Sequence, residues 1–277
     1  MPVITFWSNN EKAIGQTVSA SLVATTMAME HNYKILLISA DFNNEEMQYC
    51  FGAQESNKEI LKTLVKRPQV NLESGINGLL KLADSNRITP EIIHDYTKIV
   101  FKNRLEVIYS PMNILEDKKQ DLIEKLKNII LNASKYYDYV IVDLKKGLQY
   151  QTQLDILNMS DVIVLNIDQK LKTIESFWNM EKIEQITNKV IWNICKYDEK
   201  SKYNIKNLTR NFLKKQSVYG IKYNTLIMEA SQEEKLEELM IRYKTLKFED
   251  ENTVLIKGIQ DLIEGIQEKV QQTRLMR

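Results

Sequence analysis

Five short runs of β-branched and aromatic residues constrain the fold of this chain more than any other feature. They span residues 3–7, 34–39, 139–143, 161–167 and 189–193. Each run is apolar along nearly its whole length, which is typical of strands buried on both faces of a parallel sheet. Residues 105–109 are predicted to form a further strand. A sheet of this kind requires a layer of helices on each side.

Helical patterns lie between the predicted strands, at residues 17–31, 117–134, 173–187 and 204–215. The alternation of strand and helix predicts an α/β fold, a doubly wound and mostly parallel sheet covered by helices on both faces. We expect a single domain over residues 1–277, with a more polar, helical insertion at about residues 43–100. No linker or internal repeat divides the sequence.

Composition excludes several classes of protein. The 277 residues carry a formal net charge of +1, so no global charge indicates a nucleic-acid partner. Two isolated cysteines, Cys50 and Cys195, give neither a disulfide framework nor a metal-binding spacing, which suits a reducing cytoplasm. The longest apolar runs are far shorter than the ~20 residues of a membrane span, and the N-terminal sequence does not resemble a signal peptide. We therefore expect a cytoplasmic protein.

The loop after the first strand is a candidate phosphate-binding loop. A strand, a loop and a helix in this order can cradle phosphates with backbone N–H groups at the helix N-terminus. When the pattern G-x-x-x-x-G-K-[ST] is placed on residues 10–17, only Gly15 and Thr17 fit. The chain has only eight glycines. An ordinary loop is the alternative interpretation.

Two carboxylates follow predicted strands. Asp41 comes after the second strand, and Asp143 ends the strand at residues 139–143. Carboxylates at the carboxyl ends of parallel strands, beside a phosphate loop, are where a Mg²⁺–phosphate site is assembled. Either residue alone could instead cap a helix or end a strand. Together with the Gly-x-Thr of the loop, they favour a nucleotide site.

With these motifs, the sequence resembles the ParA/MinD family of P-loop ATPases, which have a deviant Walker A motif. SNNEKAIGQT corresponds to the phosphate loop, LLISADFN to the second-strand motif and YYDYVIVD to the Walker B strand. DVIVLNIDQ and KVIWN resemble the next two strands. The resemblance spans nearly the whole chain. Within the family it is nearest to the TadZ/CpaE-like branch, associated with Tad-type pilus assembly, without that branch's frequent receiver-like N-terminal domain.

The resemblance implies ATP and Mg²⁺ as cofactors and a homodimer as the assembly. Thr17 and Asp143 would hold the Mg²⁺ ion, and Asp41 would orient the attacking water as the catalytic residue. Asn193 would face adenine, near Tyr223. The remaining nucleotide-binding residues would be those of the loop and the first helical turn, which are Asn10, Glu11, Lys12, Ala13, Ile14, Gly15, Gln16, Thr17 and Val18.

Departures from the family pattern bear on catalysis. The two loop lysines of ATP-hydrolysing members are replaced by Glu11 and Gln16, and the first Asp of the second-strand motif is Ser39. Loss of both lysines removes charge that would stabilise a phosphoryl-transfer transition state. We hypothesise that Lys12, Lys145 or Lys146 compensates; the alternative is that all three are solvated loop lysines.

Two surface features complete the pattern. Four basic residues recur every four positions and would line one helix face, and these are Lys202, Lys206, Arg210 and Lys214. This face would either bind an anionic partner such as DNA or be a solvated surface.

The C-terminal residues 250–277 carry apolar residues at helical spacing. Their polar face is as acidic as it is basic, so we expect a helix packed on the sheet or at a dimer interface rather than a membrane-binding helix.

The sequence therefore leads to three functions. The first is an ATP-binding, weakly hydrolysing or non-hydrolysing switch or localisation protein, acting as a hub for a Tad-type pilus or a secretion system and recruited to that membrane-associated assembly. The second is an active ParA-type DNA-partition ATPase. The third is a pseudo-ATPase scaffold that no longer binds nucleotide.

Overall fold

A computed structural model describes residues 1–9, 14–52, 76–83, 88–112, 114–115, 119–144, 150–245 and 251–275. Within these ranges, eight strands form one sheet. Their bounds are β1 Val3–Trp7, β2 Ile35–Ser39, β3 Lys98–Phe101, β4 Leu105–Ile108, β5 Tyr139–Leu144, β6 Val162–Ile167, β7 Val190–Tyr197 and β8 Val218–Lys222.

The described α-helices connect and cover these strands. Their bounds are α1 Gln16–Glu30, α2 Glu46–Phe51, α3 Ile76–Ala83, α4 Pro90–Asp95, α5 Lys119–Ala133, α6 Tyr150–Met159, α7 Leu171–Trp178, α8 Ile205–Asn211, α9 Thr225–Ala230, α10 Leu236–Thr245 and α11 Glu251–Leu275. Two short 3₁₀ turns, Ile183–Gln185 and Thr187–Lys189, lie between α7 and β7.

The strand order is β3-β4-β2-β5-β1-β6-β7-β8. All neighbouring strands are parallel except β3, which pairs antiparallel with β4 at one edge. Residues of β1, β2, β4, β5 and β6 are almost all buried, because a hydrophobic cluster covers each face of the sheet. This confirms the predicted doubly wound α/β fold.

Helix α1 lies inside the structure rather than on its surface. It contacts the sheet at β2 and β5 and also packs against α2, α10 and α11. Twelve of its residues are buried as a result. Helix α11 packs on β6, β7 and β8, and its apolar face is buried at Leu255, Ile259, Leu262, Ile263, Ile266 and Val270. The expectation that the C-terminal helix packs on the sheet is confirmed.

The six predicted strands are present, five of them with nearly the predicted bounds, whereas β7 continues four residues beyond the predicted end, to Tyr197. The sequence pattern did not predict β3 and β8. Both are edge strands with half-exposed residues, so neither reads as a continuous apolar run. Two predicted helices are shorter than expected. Helix α7 ends at Trp178, and α8 ends at Asn211, a few residues before Lys215 adopts the left-handed conformation (φ 65°).

Between β2 and β3 the described residues include the helices α2, α3 and α4, and β3 begins at Lys98. Residues 53–75 and 84–87 of the predicted insertion lie outside the described residues. The assignment of one domain with an insertion at residues 43–100 stays a prediction. None of the described helices combines the length and the apolar character that crossing a bilayer would need.

Candidate functional site

The candidate site lies where the carboxyl ends of β1, β2 and β5 meet the N-terminus of α1. Strand pairing aligns Asp143 with Phe6 of β1 and with Ser39 of β2, so its carboxylate stands at the centre of the sheet edge. Gly15 caps α1 in the left-handed conformation (φ 92°), which favours glycine. The one loop glycine that the sequence retains is therefore at the position that needs it.

The hydroxyl of Thr17 donates to Oδ2 of Asp143 across 2.7 Å. Both residues are buried, with Thr17 3% and Asp143 1% exposed. A hydroxyl and a carboxylate in contact are an oxygen donor set that suits Mg²⁺. The structure thus brings together the two residues predicted to hold the metal ion.

Gln16 fills the position of the family's second loop lysine, and its side chain points into the sheet. The amide nitrogen donates to Oδ1 of Asp143 at 2.6 Å, to the carbonyl of Phe6 at 3.2 Å and to the carbonyl of Leu144 at 3.1 Å. The side chain is 4% exposed. Gln16 therefore ties β1 and β5 to the start of α1 and brings no charge toward a phosphate.

Glu46, which no sequence pattern indicated, lies on the other side of Thr17. Its Oε2 accepts from the Thr17 hydroxyl at 3.2 Å. Thr17 therefore stands between two carboxylates, those of Glu46 and Asp143. A pair of carboxylates repels a phosphate and attracts a divalent cation. In the sequence, a site role for Glu46 was indicated only by its being an acidic residue five positions after Asp41.

Asp41 lies beyond the end of β2, at the same edge of the sheet. The N–H of the preceding residue, Ala40, donates to the carbonyl of Asp143 at 2.9 Å, which fixes this segment against β5. The hydroxyl of Ser110 donates to the carbonyl of Asp41. The backbone of Asp41 is thus held near Asp143, and its role in orienting water stays a prediction.

Two adjoining cavities open beside the N-terminus of α1, with volumes of about 470 and 30 Å³. We call them together the α1 cleft. Both are lined by Gly15, Val18, Lys196 and Met228. Thr17, Glu46, Tyr49, Ser231 and Gln232 line the larger part. The smaller part includes Ile14, Cys195, Ile221, Lys222, Tyr223 and Asn224.

Five of the predicted binding residues therefore line the cleft, and these are Ile14, Gly15, Thr17, Val18 and Tyr223. Asn193 does not share this position. It is fully buried in β7, and its amide donates to Oδ1 of Asn166 at 2.8 Å. The contact with adenine stays a prediction for Asn193.

Cys195 and Lys196, for which the sequence predicted no role in binding, extend from β7 into the cleft wall. Burial raises the pKa of the Cys195 thiol to about 12. The thiol is therefore protonated at neutral pH and is a poor nucleophile. Lys196 is exposed.

Some predicted residues lie outside the described residues. These are Asn10, Glu11, Lys12, Ala13, Lys145 and Lys146.

The basic helix face predicted from the sequence is not formed as expected, because α8 covers only Ile205–Asn211. Lys206 and Arg210 lie on that helix, whereas Lys202 and Lys214 lie beyond its ends. The four residues are exposed but do not form one continuous helical face, because the helix is too short.

Comparison with known proteins agrees with this geometry. The AAA_31 family model, which describes an AAA domain, matches residues 1–195. No curated protein sequence matches the chain.

Solved structures share its fold at low sequence identity. A ParA family ATPase from Chlorobium tepidum TLS has a TM-score of 0.68 at 16% identity, over 95% of this chain and 98% of its own. A plasmid partition protein from Borrelia burgdorferi B31, bound to AMPPNP, has a TM-score of 0.62 at 18% identity over 97% and 99%. MinD from Pyrococcus horikoshii OT3, complexed with Mg-ADP, has a TM-score of 0.65 at 13% identity over 96% and 95%. The chain therefore belongs to the AAA_31 family of AAA domains, and it has the fold of the ParA/MinD-type P-loop ATPases.

Proposed function

We propose that this protein is an ATP-binding switch or localisation protein that hydrolyses ATP slowly or not at all. The observation that carries the proposal is the contact of Thr17 with Asp143 beside the capped end of α1, combined with the inward-pointing amide of Gln16. Thr17 and Asp143 provide oxygen ligands that suit Mg²⁺. The amide in place of a lysine removes a charge that would stabilise the transition state.

The relatives support nucleotide as the ligand, since their solved structures hold AMPPNP in one case and Mg-ADP in another. In this proposal ATP would bind in the α1 cleft, Thr17 and Asp143 would hold Mg²⁺, and Asp41 would orient water in any residual hydrolysis. The nucleotide-bound form is a homodimer. The pilus or secretion-system hub rests on the resemblance to the TadZ/CpaE-like branch and on the degenerate phosphate loop.

A pseudo-ATPase scaffold is the competing function, and one observation favours it. The three hydrogen bonds of Gln16 already satisfy the polar groups that a lysine and a ligand would otherwise engage. DNA partition has weaker support, because the exposed cations at Lys202, Lys206, Arg210 and Lys214 do not share one helix face.

Calorimetric titration with ATP and Mg²⁺, paired with a phosphate-release assay, tests the proposal. We expect saturable binding with little or no turnover. ATP turnover that DNA stimulates would contradict the proposal and favour the DNA-partition ATPase. The absence of ATP binding at millimolar concentration would favour the pseudo-ATPase scaffold. A further test of the hub is co-purification of the full chain with a co-expressed secretion ATPase or pilin, with and without ATP.

A further inference from the structure

Lys196 has an unusual backbone conformation at the carboxyl end of β7. Its φ is 55°, in the left-handed region that a lysine rarely adopts, and the pairing of β7 with β8 shifts register between Cys195 and Tyr197. The irregularity turns the lysine out of the strand: Cys195 is 5% exposed, whereas Lys196 is an exposed residue. A bulge of this kind re-aims a side chain, here toward the α1 cleft.

The aliphatic stem of Lys196 crosses the end of α1. A Cβ atom built on Gly15 would lie 3.8 Å from Cε of Lys196, so the two residues are in contact range. Gly15 is the N-cap of a 15-residue helix that has no acidic residue in its first turn. The unpaired N–H groups of that turn and the lysine ammonium therefore place positive charge on the same wall of the cleft.

The other charged residues that line the cleft do not supply this charge. Lys222 forms an ion pair with Glu199 at 3.0 Å. Glu46 is negative and contacts Thr17 at 3.2 Å. Among the described residues, Lys196 has neither a hydrogen bond nor an ion pair, and it is the cation available to a ligand in the cleft.

We propose that Lys196 supplies the positive charge that the phosphate loop lost with its lysines, by contacting the phosphate groups of a bound nucleotide. The inference rests on the proposed nucleotide binding and adds a residue from β7, far from the loop in sequence. An ammonium reaching from β7 attracts the phosphates without standing beside Asp143. The ammonium of Lys196 therefore contributes to nucleotide binding, and it does not replace the catalytic lysine that would stand beside Asp143.

The test compares three variants by titration calorimetry with ATP and Mg²⁺. Lys196→Asn removes the charge and keeps a residue that tolerates the left-handed conformation. Lys196→Arg keeps the charge. Lys215→Asn is the matched control, because Lys215 is also exposed and left-handed (φ 65°) but does not line the cleft. Thermal unfolding of each variant checks that the fold is unchanged.

We expect Lys196→Asn to weaken ATP binding about tenfold at low salt, as the loss of a modestly screened charge contact predicts. The difference from wild type shrinks as NaCl is raised, because salt screens the contact. Lys196→Arg retains most of the affinity, and Lys215→Asn retains all of it.

Two results would overturn the inference alone: equal ATP affinity of wild type and Lys196→Asn, or a loss that salt does not alter, which would indicate a contact with the base. A different result, no ATP binding by the wild type, would overturn the proposed function and this inference with it.

Discussion

The amide of Gln16 lies 2.6 Å from the carboxylate of Asp143, where a P-loop ATPase would carry a lysine ammonium. The contact is buried, and the same amide also reaches the carbonyls of Phe6 and Leu144. A neutral amide can share its two N–H groups among these three acceptors without the cost of burying a charge. Glutamine in place of lysine therefore keeps the buried hydrogen bonds that the fold needs, but it removes the positive charge that would contact a phosphate.

Gln16→Leu should destabilise the protein. The change keeps similar volume but leaves one carboxylate oxygen and two carbonyls without this donor, at a cost of about 2 kcal/mol in the free energy of unfolding. Urea denaturation would measure it. Gln185→Leu, on an exposed 3₁₀ turn, is the control and should change stability by less than about 0.5 kcal/mol. Equal effects of the two changes would contradict the structural role of Gln16.

Gln16→Lys should strengthen ATP binding. The ammonium restores a cation at the end of α1, where a charge within ~4 Å of a phosphate contributes at least tenfold in affinity. Calorimetric titration with ATP and Mg²⁺ would measure the change. Gln232→Lys, in the outer wall of the same cleft, adds the same charge without reaching Asp143. An unchanged affinity of Gln16→Lys would contradict the assignment of this loop to phosphate.

Glu46 should make nucleotide binding depend on a divalent cation. Without Mg²⁺, the carboxylates of Glu46 and Asp143 both repel the phosphates; with it, they help to hold the ion. Glu46→Gln should therefore raise ATP affinity in the presence of EDTA by about threefold to tenfold and should raise it less, or lower it, with Mg²⁺.

Glu45→Gln is the matched control for this pair of titrations. Glu45 is the neighbouring exposed carboxylate, and it accepts from the Tyr49 hydroxyl at 2.9 Å instead of from Thr17. The same response in both variants would indicate a general charge effect rather than a contact at the metal position.

Both cysteines should make stability fall at high pH. Burial raises the pKa of Cys50 and of Cys195 to about 12, from the 9.0 of a thiol in water. Between pH 9 and 12 the unfolded chain ionises these thiols and the folded chain does not. Each thiol should therefore lower the free energy of unfolding by up to about 1.4 kcal/mol per pH unit in that window.

Denaturation of the wild type and of Cys195→Ala at pH 8 and pH 10 would measure the effect. We expect a smaller loss between the two pH values in the variant, whose absolute stability is lower because a buried side chain is truncated. Identical losses would mean that the thiol ionises equally readily in the folded chain.

The sequence predicted the interior of the sheet well and its edges poorly. Strands such as β1 and β6 are buried on both faces, so burial forced a continuous apolar run that can be read directly. The edge strands β3 and β8 are half exposed, and β8 contains Gly220, so the local signal was lost. Pairing with a neighbour along the sheet, which decides these strands, is not a local property of the sequence.

The site divides in the same way. Thr17 and Asp143 were predictable because each follows from a motif whose position in a strand or helix fixes its direction. Glu46 and Lys196 were not, because α2 and the β7 irregularity reach the cleft only through tertiary packing. Asn193 shares a face of β7 with Cys195, which lines the cleft, but it lies two positions earlier in the strand. Because β7 continues to Tyr197, Asn193 is inside the sheet and not at its carboxyl end.

The packing of α1 against α11 has a consequence for how this chain is made. Helix α1 ends at Glu30 and α11 begins at Glu251, so the two contacting helices leave the ribosome far apart in time. Until α11 arrives, one flank of α1 and part of the face of β6, β7 and β8 stand open to water. The packing of α1 and of this part of the sheet is therefore completed only when α11 is in place, and the apolar surface exposed before then favours aggregation.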